Sequence, residues 1–196
     1  SGNVADEPIC HRNDDVGARL GPLVDGVLGH NRPIHVPCDD SVVRVVGSSD
    51  GRQLLPIRRA RGWAPIPVVL PGDADRPAVL AVGAELKNTF CLSAGARAML
   101  SQHIGDMENL ETLSAFDRAI EQFRSFHAVD PVIVAVDAHP GYKSSRWGRR
   151  LAEAERLPVI EIQHHEAHIG AVMAEHQLDP AIEVLGFAFD GTGYGW

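Results

Sequence analysis

The sequence predicts an α/β protein, because strand-like apolar segments alternate with amphipathic helices over most of its second half. Apolar side chains recur on one face of a helix over residues 109–127. Short apolar segments at 132–136 and 159–162 are separated by a helical pattern, which is typical of parallel strands. The 44% hydrophobic and 22% charged residues are the balance of a folded globular chain.

The first part of the chain predicts a helix followed by a β-hairpin. Apolar residues recur at helical spacing over 14–30, and Pro22 is expected to interrupt or restart that helix because proline lacks an amide donor. Two strand-like segments, 41–46 and 53–57, flank a Ser-Asp-Gly turn at 49–51. That combination predicts a hairpin.

A proline-rich stretch at 63–76 predicts a domain boundary, because proline favours an extended backbone there. We therefore divide the chain into a first unit, 1–70, and a second unit, 71–196. The predicted elements of the second unit are strands at 79–82, 89–92 and 98–103, a helix at 109–127, a strand at 132–136, a helix at 145–156, a strand at 159–162, a helix at 165–177 and a strand at 184–189. Parallel sheets of this kind place sites at the carboxyl ends of their strands.

Composition excludes several functional classes. A net charge of −8 gives no electrostatic footprint for nucleic acid, although local basic patches lie at 58–62 and 143–150. No apolar run approaches the roughly 20 residues of a membrane-spanning helix. The three cysteines have no CxxC spacing, which favours a reducing, cytoplasmic location. Because the chain has no initiator methionine and ends after a glycine-rich loop, we expect a fragment of a longer protein.

A histidine-rich segment at the start of the helix predicted at 165–177 indicates a metal site. His164 and His168 are four residues apart, so they project from one face of a helix and can bind one cation. The zinc-protease motif HExxH is excluded, because His165 stands where that motif has its glutamate. The competing interpretation is a solvated, histidine-rich helix start.

Asp190 is the candidate third metal ligand. It follows the predicted strand at 184–189 and precedes a glycine loop, so its carboxylate can reach the same cleft. Two histidines and a carboxylate leave coordination positions open, as catalytic metal sites require. Alone, Asp190 also fits a plain Asp-Gly turn.

Three further residues are candidates for catalysis. Asp137 and His139 follow the predicted strand at 132–136 and can act as acid, base or substrate contacts, or merely satisfy the backbone of a turn. Lys87 lies in the polar turn between the first two strands of the second unit. Its ammonium group can hold a phosphate or carbamoyl oxygen, although the turn is not a Walker loop.

The first unit contains candidate nucleotide contacts. Arg58, Arg59 and Arg61 follow a predicted strand and can clamp phosphates bidentately. The segment at 39–41 can orient a nucleotide or magnesium. The competing interpretations are an exposed basic edge and an ordinary turn.

Ten short motifs occur in a specific order over nearly the whole chain: SGN at 1–3, EPI at 7–9, NRPI at 31–34, DDSVVR at 39–44, RRARG at 58–62, GAELKNTFCL at 83–92, SQHIGD at 101–106, DAHP at 137–140, HHEAH at 164–168 and DGTGYG at 190–195. Their succession resembles the hydrogenase-maturation carbamoyltransferases of the HypF type. Each motif alone is a weak indication of this family, but the order of all ten is specific for it.

The resemblance implies a YrdC-like domain end followed by the first lobe of an actin/Hsp70-like transfer domain. It implies that carbamoyl phosphate and ATP with Mg yield carbamoyl-adenylate, whose carbamoyl group passes to the C-terminal cysteine of a HypE partner. It assigns His164, His168 and Asp190 to a divalent metal, Fe or Zn. It also assigns nucleotide contacts to Ser1, Asn3, Ser41 and the arginine cluster. Alone, the fragment is expected to complete neither half-reaction.

Three other functions were weighed. An antibiotic O-carbamoyltransferase resembles the second unit, but the motifs at 1–62 argue against it. A tRNA threonylcarbamoyl-modification protein resembles both units. Bacterial versions, however, lack the GAELKNTF motif at 83–90 and do not normally carry both units on one chain. A truncated, non-catalytic interaction module predicts no metal binding.

Overall fold

The structure, a computed structural model, describes residues 2–4, 7–49, 51–191 and 194. The first part of the chain contains one short helical region. Helix α1 is a single turn at Asn13–Asp15, continued by a π-helical turn at Val16–Leu20 and a 3-10 turn at Gly21–Leu23.

The helix predicted over 14–30 is therefore wrong beyond Leu23. Val24 takes an extended backbone, with φ −136° and ψ 150°. The apolar side chains that suggested a helix there do not bury a face: Val24, Val27 and Leu28 are 48%, 56% and 100% exposed. Most helical stability in proteins comes from burying such a face, so spacing alone does not maintain this helix.

The predicted hairpin is confirmed. Strands β1 (Val42–Ser48) and β2 (Gly51–Arg58) pair antiparallel, with Ser48 opposite Gly51 at the turn. Gly51 has φ +119°, a backbone conformation that glycine adopts without steric cost.

A mixed sheet forms the centre of the second part of the chain. Its strands are β3 (Val68–Val69), β4 (Val79–Ala81), β5 (Cys91–Ala94), β6 (Arg97–Leu100), β7 (Ile133–Asp137) and β8 (Val159–Ile162). The order of these six strands is β3-β6-β5-β4-β7-β8. In this order, neighbouring strands from β3 to β4 pair antiparallel. The pairs β4-β7 and β7-β8 are parallel. The α/β class with parallel pairing is therefore confirmed.

Three helices accompany the sheet: α2 (Leu110–His127), α3 (Lys143–Glu155) and α4 (His164–Glu175). All three lie close to their predicted positions. The side chain of Asn109 accepts the amides of Glu111 and Thr112 and so caps α2. The buried apolar core consists of Leu80, Val82, Phe90, Leu92, Met99, Met107, Phe116, Ile120, Val134, Val136 and Ala152.

The polar turn at 83–88 is held by buried hydrogen bonds. Asn88, 1% exposed, donates its side-chain amide to the carbonyls of Val82 (2.9 Å) and Ala84 (2.6 Å). Its backbone amide donates to Gly105. Lys87 has φ +50°, a left-handed conformation that these contacts stabilise. The loop is therefore a fixed part of the fold.

The strand predicted at 184–189 is wrong, because this segment pairs with no strand in the part of the chain that the structure describes. Its backbone instead approaches α4. A Cβ atom built on Gly186 would lie 2.6 Å from Ile169. The alternating apolar residues remain at the surface, with Leu185 85% and Phe189 98% exposed. A strand pattern forms a strand only where a neighbouring edge accepts its ladder hydrogen bonds.

The two parts of the chain contact each other. The Gln102 side chain donates to the carbonyl of Pro37 (2.8 Å), and the amide of His103 donates to Arg59 (3.3 Å). Strand β3 lies before residue 71 and pairs with β6. The sheet therefore includes residues from the stretch that was predicted to be a boundary.

Within the described ranges, no helix is both long and apolar enough to cross a bilayer. The three cysteines are free. Burial raises the pKa of the Cys91 thiol to about 11, so this group stays protonated at neutral pH.

Two glycines on neighbouring helices give a matched test of this packing. A methyl group added to Gly148 of α3 would lie 2.9 Å from Val136 and 3.0 Å from Val82, whereas one added to Gly170 of α4 meets nothing within 4 Å. We expect Gly170→Ala to raise the free energy of unfolding by about 0.5–1 kcal/mol through helix propensity. We expect Gly148→Ala to lower it, because overpacking costs about 1–3 kcal/mol. Urea unfolding measures both, and equal stabilities would contradict this packing.

Candidate metal centre

The carboxyl ends of parallel strands β7 and β8 place the candidate site. Asp137, the last residue of β7, is paired in register with Ile162, the last residue of β8. The amide of Ala138 then donates to the carbonyl of Ile162 (2.9 Å). The chain after β8 enters α4 at once, so the start of α4 lies beside the Asp137 carboxylate.

Gln163 caps the helix that carries the two histidines. Its side-chain oxygen accepts the amides of His165 (2.6 Å) and Glu166 (3.0 Å), which satisfies two amides at the first turn of α4. The rings of His164 and His168 then meet edge to face on one side of the helix, 4.8 Å apart between centroids and at 84° to each other.

Asp190 meets both histidines. Its Oδ2 lies 2.8 Å from His164 Nε2 and 3.6 Å from His168 Nε2. One ligand atom from each of the three residues lies within 4.8 Å of the others. Two ligands of a tetrahedral zinc ion lie about 3.4 Å apart, so these separations fit one cation after small side-chain movements. His164 is 14% exposed and His168 is 56% exposed, which leaves the site open on the His168 side.

Asp137 lies behind the cluster. Its side chain is 7% exposed, and its Oδ2 is 2.6 Å from Nδ1 of His164. Its Oδ1 accepts the backbone amide of His139 (2.8 Å). Nδ1 of His164 therefore faces Asp137, and Nε2 on the other side of the ring faces Asp190. The structure thus places Asp137 where it orients a candidate ligand.

His139 and Tyr142 form a pair of stacked rings next to the cluster. Nδ1 of His139 accepts the amide of Gly141 (3.0 Å), and the His139 ring stacks on Tyr142 with centroids 4.0 Å apart. The Tyr142 ring in turn lies 6.3 Å from His164. Burial raises the pKa of the Tyr142 phenol, and the carboxylates of Asp137, Asp190 and Glu85 raise it further. The phenol therefore remains a hydrogen-bond donor.

The 83–88 loop forms hydrogen bonds with the start of α3, next to these stacked rings. Glu85, 8% exposed, accepts the amide of Lys143 (2.6 Å), and Ser144 donates to the carbonyl of Gly83 (3.0 Å). Ser145 donates to the carbonyl of Asp137 (3.0 Å). The sequence predicted neither these contacts nor the capping role of Gln163, because no short-range pattern distinguishes these residues from ordinary polar ones.

Lys87 lies at a separate cavity of about 660 Å³ between the two parts of the chain. Asn3, Arg58 and Lys87 all line it, whereas the residues of the metal cluster do not. His103 also lines it, and burial together with Arg58 lowers the pKa of that imidazole. The structure therefore separates Lys87 from Asp137 and His139.

The predicted nucleotide contacts are divided between two places. Asn3 and Arg58 share the cavity, whereas the hydroxyl of Ser41 donates to the carbonyl of Arg61 and accepts the amide of Ala60, both at 2.9 Å. Ser1 lies outside the described residues.

The side chains of Arg59 and Arg61 contact nearby protein groups. Arg59 lies over the Trp63 ring, 5.5 Å from its centroid, and donates to the carbonyl of Ile66 (3.3 Å). Arg61 donates to the carbonyl of Cys38 (3.3 Å). The cluster seen in the sequence therefore does not form one phosphate clamp in the structure.

The chain is similar to known proteins over its whole length. A family model described as the HypF Kae1-like domain matches residues 74–175. A carbamoyltransferase HypF of Synechocystis is 44% identical over 195 residues, covering 100% of this chain and 24% of the relative. One of Rhizobium leguminosarum bv. viciae is also 44% identical, with the same coverage. The chain thus spans about a quarter of the length of these relatives.

Two solved structures agree with the computed fold. Full-length HypF in its phosphate- and nucleotide-bound form matches with a TM-score of 0.89 and 43% identity, over 100% of this chain and 29% of that one. HypF of T. kodakarensis matches with a TM-score of 0.87 and 36% identity, over 98% of this chain and 24% of that one. With the family model and the relatives, these matches show that the chain belongs to the HypF family of carbamoyltransferases.

Proposed function

We propose that this chain is part of a cytoplasmic enzyme that forms carbamoyl-adenylate from carbamoyl phosphate and ATP, then transfers the carbamoyl group to the C-terminal cysteine of a HypE-type protein. Family membership supports carbamoyl transfer, and the convergence of His164, His168 and Asp190 at one strand edge carries the proposal of a metal-dependent site. In this proposal the first 70 residues end a YrdC-like domain, and the rest begins an actin/Hsp70-like transfer domain.

The three converging residues would hold a divalent ion, Fe or Zn. Two imidazole nitrogens and a carboxylate suit either ion and leave positions for substrate. When bound, the ion supplies Lewis-acid chemistry, polarising the carbamoyl oxygen. The neutral phenol of Tyr142 can donate a hydrogen bond beside it, and the stacked His139 ring covers one side of the site.

The transfer itself is an acyl substitution. The acceptor thiolate forms a C–S bond to the carbamoyl carbon, the bond from that carbon to the AMP phosphate oxygen breaks, and AMP leaves with the electron pair. In the earlier steps, water cleaves carbamoyl phosphate to carbamate and phosphate. A carbamate oxygen then attacks the α-phosphorus of ATP, the bond from that phosphorus to the bridging oxygen of the β-phosphate breaks, and pyrophosphate leaves. Asn3, Arg58 and Lys87 around the 660 Å³ cavity are candidates for holding the phosphates of ATP with Mg.

Metal titration tests the site in the 196-residue chain. We expect the chain to bind one equivalent of Zn(II), and His164→Ala to weaken binding more than about 100-fold, because even outer-shell substitutions cost about 10–100-fold. His176→Ala, at the other end of α4, is the matched control and should leave the affinity unchanged. Equal affinities for the wild type and His164→Ala, or no binding by the wild type, would contradict the site.

Asp137→Asn tests the orienting contact. Both oxygens of Asp137 accept, one from His139 and one from His164, whereas an asparagine offers a single acceptor. We therefore expect about 10–100-fold weaker zinc binding, measured by calorimetry. Asp117→Asn removes the same charge at a carboxylate that accepts from Trp147 rather than from a histidine, and should have no effect. An unchanged affinity in Asp137→Asn would show that this contact does not orient the ligand.

Catalysis requires a longer protein, so the third test uses a chimaera. This chain replaces the matching quarter of the Synechocystis relative, and His168→Ala is introduced. We expect carbamoyl transfer to fall to background while ATP/pyrophosphate exchange persists, because the two half-reactions use different sites. The chimaera without the substitution is the control. Transfer at a near-normal rate in His168→Ala would refute the metal-dependent mechanism.

A further inference from the structure

Gln163 connects two segments that must meet for the metal cluster to form. Its oxygen caps α4, which carries both histidines, and its side-chain nitrogen donates to the carbonyl of Tyr194 (2.6 Å). Tyr194 lies four residues beyond Asp190. We propose that Gln163 is a positioning residue that holds Asp190 against His164 and His168, an inference that rests on the metal site of the proposed function.

The hydrogen bonds of Gln163 determine how its amide is oriented. The residue is 7% exposed. Its oxygen faces two backbone amides, those of His165 and Glu166, which only donate. Its nitrogen faces the Tyr194 carbonyl and lies 3.1 Å from Nδ1 of His165. A reversed amide would place donors against donors and an acceptor against a carbonyl, so only this orientation satisfies both ends.

The Asp190 segment has two anchors on α4. On one side, the backbone of Gly186 lies against Ile169; on the other, Gln163 holds the carbonyl of Tyr194. The Tyr194 ring also contacts His139, with centroids 5.3 Å apart. Asp190 lies midway between the anchors, and neither depends on a β-ladder.

This arrangement explains how a segment without regular structure presents a ligand. Because Tyr194 lies four residues beyond Asp190, a hydrogen bond at Tyr194 limits the freedom of the nearby Asp190 backbone. The hydrogen bond to Gln163 removes much of that freedom before any ligand binds, which lowers the entropic cost of coordination.

Gln163→Asn separates the two roles of the residue. Asparagine is a preferred N-cap residue, so the start of α4 is retained, but its shorter side chain does not reach the Tyr194 carbonyl. We expect zinc affinity in the 196-residue chain to fall about 10–100-fold. The matched control is Gln122→Asn, which makes the same change on α2, where the amide donates to the carbonyl of His35 at 3.5 Å. An unchanged affinity in Gln163→Asn overturns the proposal.

A double-mutant cycle shows whether Gln163 acts through Asp190. If it does, Gln163→Asn should change the zinc affinity less than about two-fold when Asp190→Ala is already present, because coupled residues are not additive. A loss in the Asp190→Ala background as large as in the wild type would mean that Gln163 acts on the helix or its histidines. That result overturns the proposal and leaves the metal site intact.

A metal-free measurement keeps this inference separate from the proposed function. In ¹⁵N relaxation, we expect the order parameters of Asp190 and Gly191 to fall from about 0.85 to below about 0.6 in Gln163→Asn, while the amides of α4 stay rigid. If the wild type binds no zinc but this loosening occurs, the proposed function fails and the positioning role remains. Unchanged order parameters overturn the positioning role whether or not zinc binds.

Discussion

The parallel register of β7 and β8 determines where the candidate site lies. Because Asp137 is paired with Ile162, the chain leaves β8 at the level of the Asp137 carboxylate and enters α4 directly. A shift of one residue would turn Asp137 to the other face of the sheet and remove its bond to His164. The cluster thus depends on the backbone pairing of β7 with β8, and regular strands are a rigid support for a metal site.

The two carboxylates at the site have different surroundings and suit different tasks. Asp137 is buried, is bonded by His139 and His164, and lies on the far side of the His164 ring from Asp190. Asp190 is more exposed and comes from a segment without regular structure. In the proposed metal site, Asp137 would orient the imidazole of His164 from behind and Asp190 would bind the cation in front of it, with substrate entering from the open His168 side.

The sequence predicted those features that depend on local pattern. The helix predicted at 109–127 from its apolar spacing is confirmed at 110–127, where that face is buried, and the spacing of His164 and His168 is a property of any helix. The helix prediction beyond Leu23 and the strand prediction at 184–189 failed because their apolar residues have no partner surface in the described structure. The arginine side chains point to different neighbours, and the contact of Gln163 with Tyr194 was not predicted because the two residues are 31 apart in the sequence.

Anomalous diffraction from zinc-loaded crystals of this chain tests the central claim most directly. The account predicts a single strong peak at the zinc edge, about 2.0–2.2 Å from Nε2 of His164, Nε2 of His168 and a carboxylate oxygen of Asp190. A peak at other histidines, with these three side chains in separate positions, would contradict it.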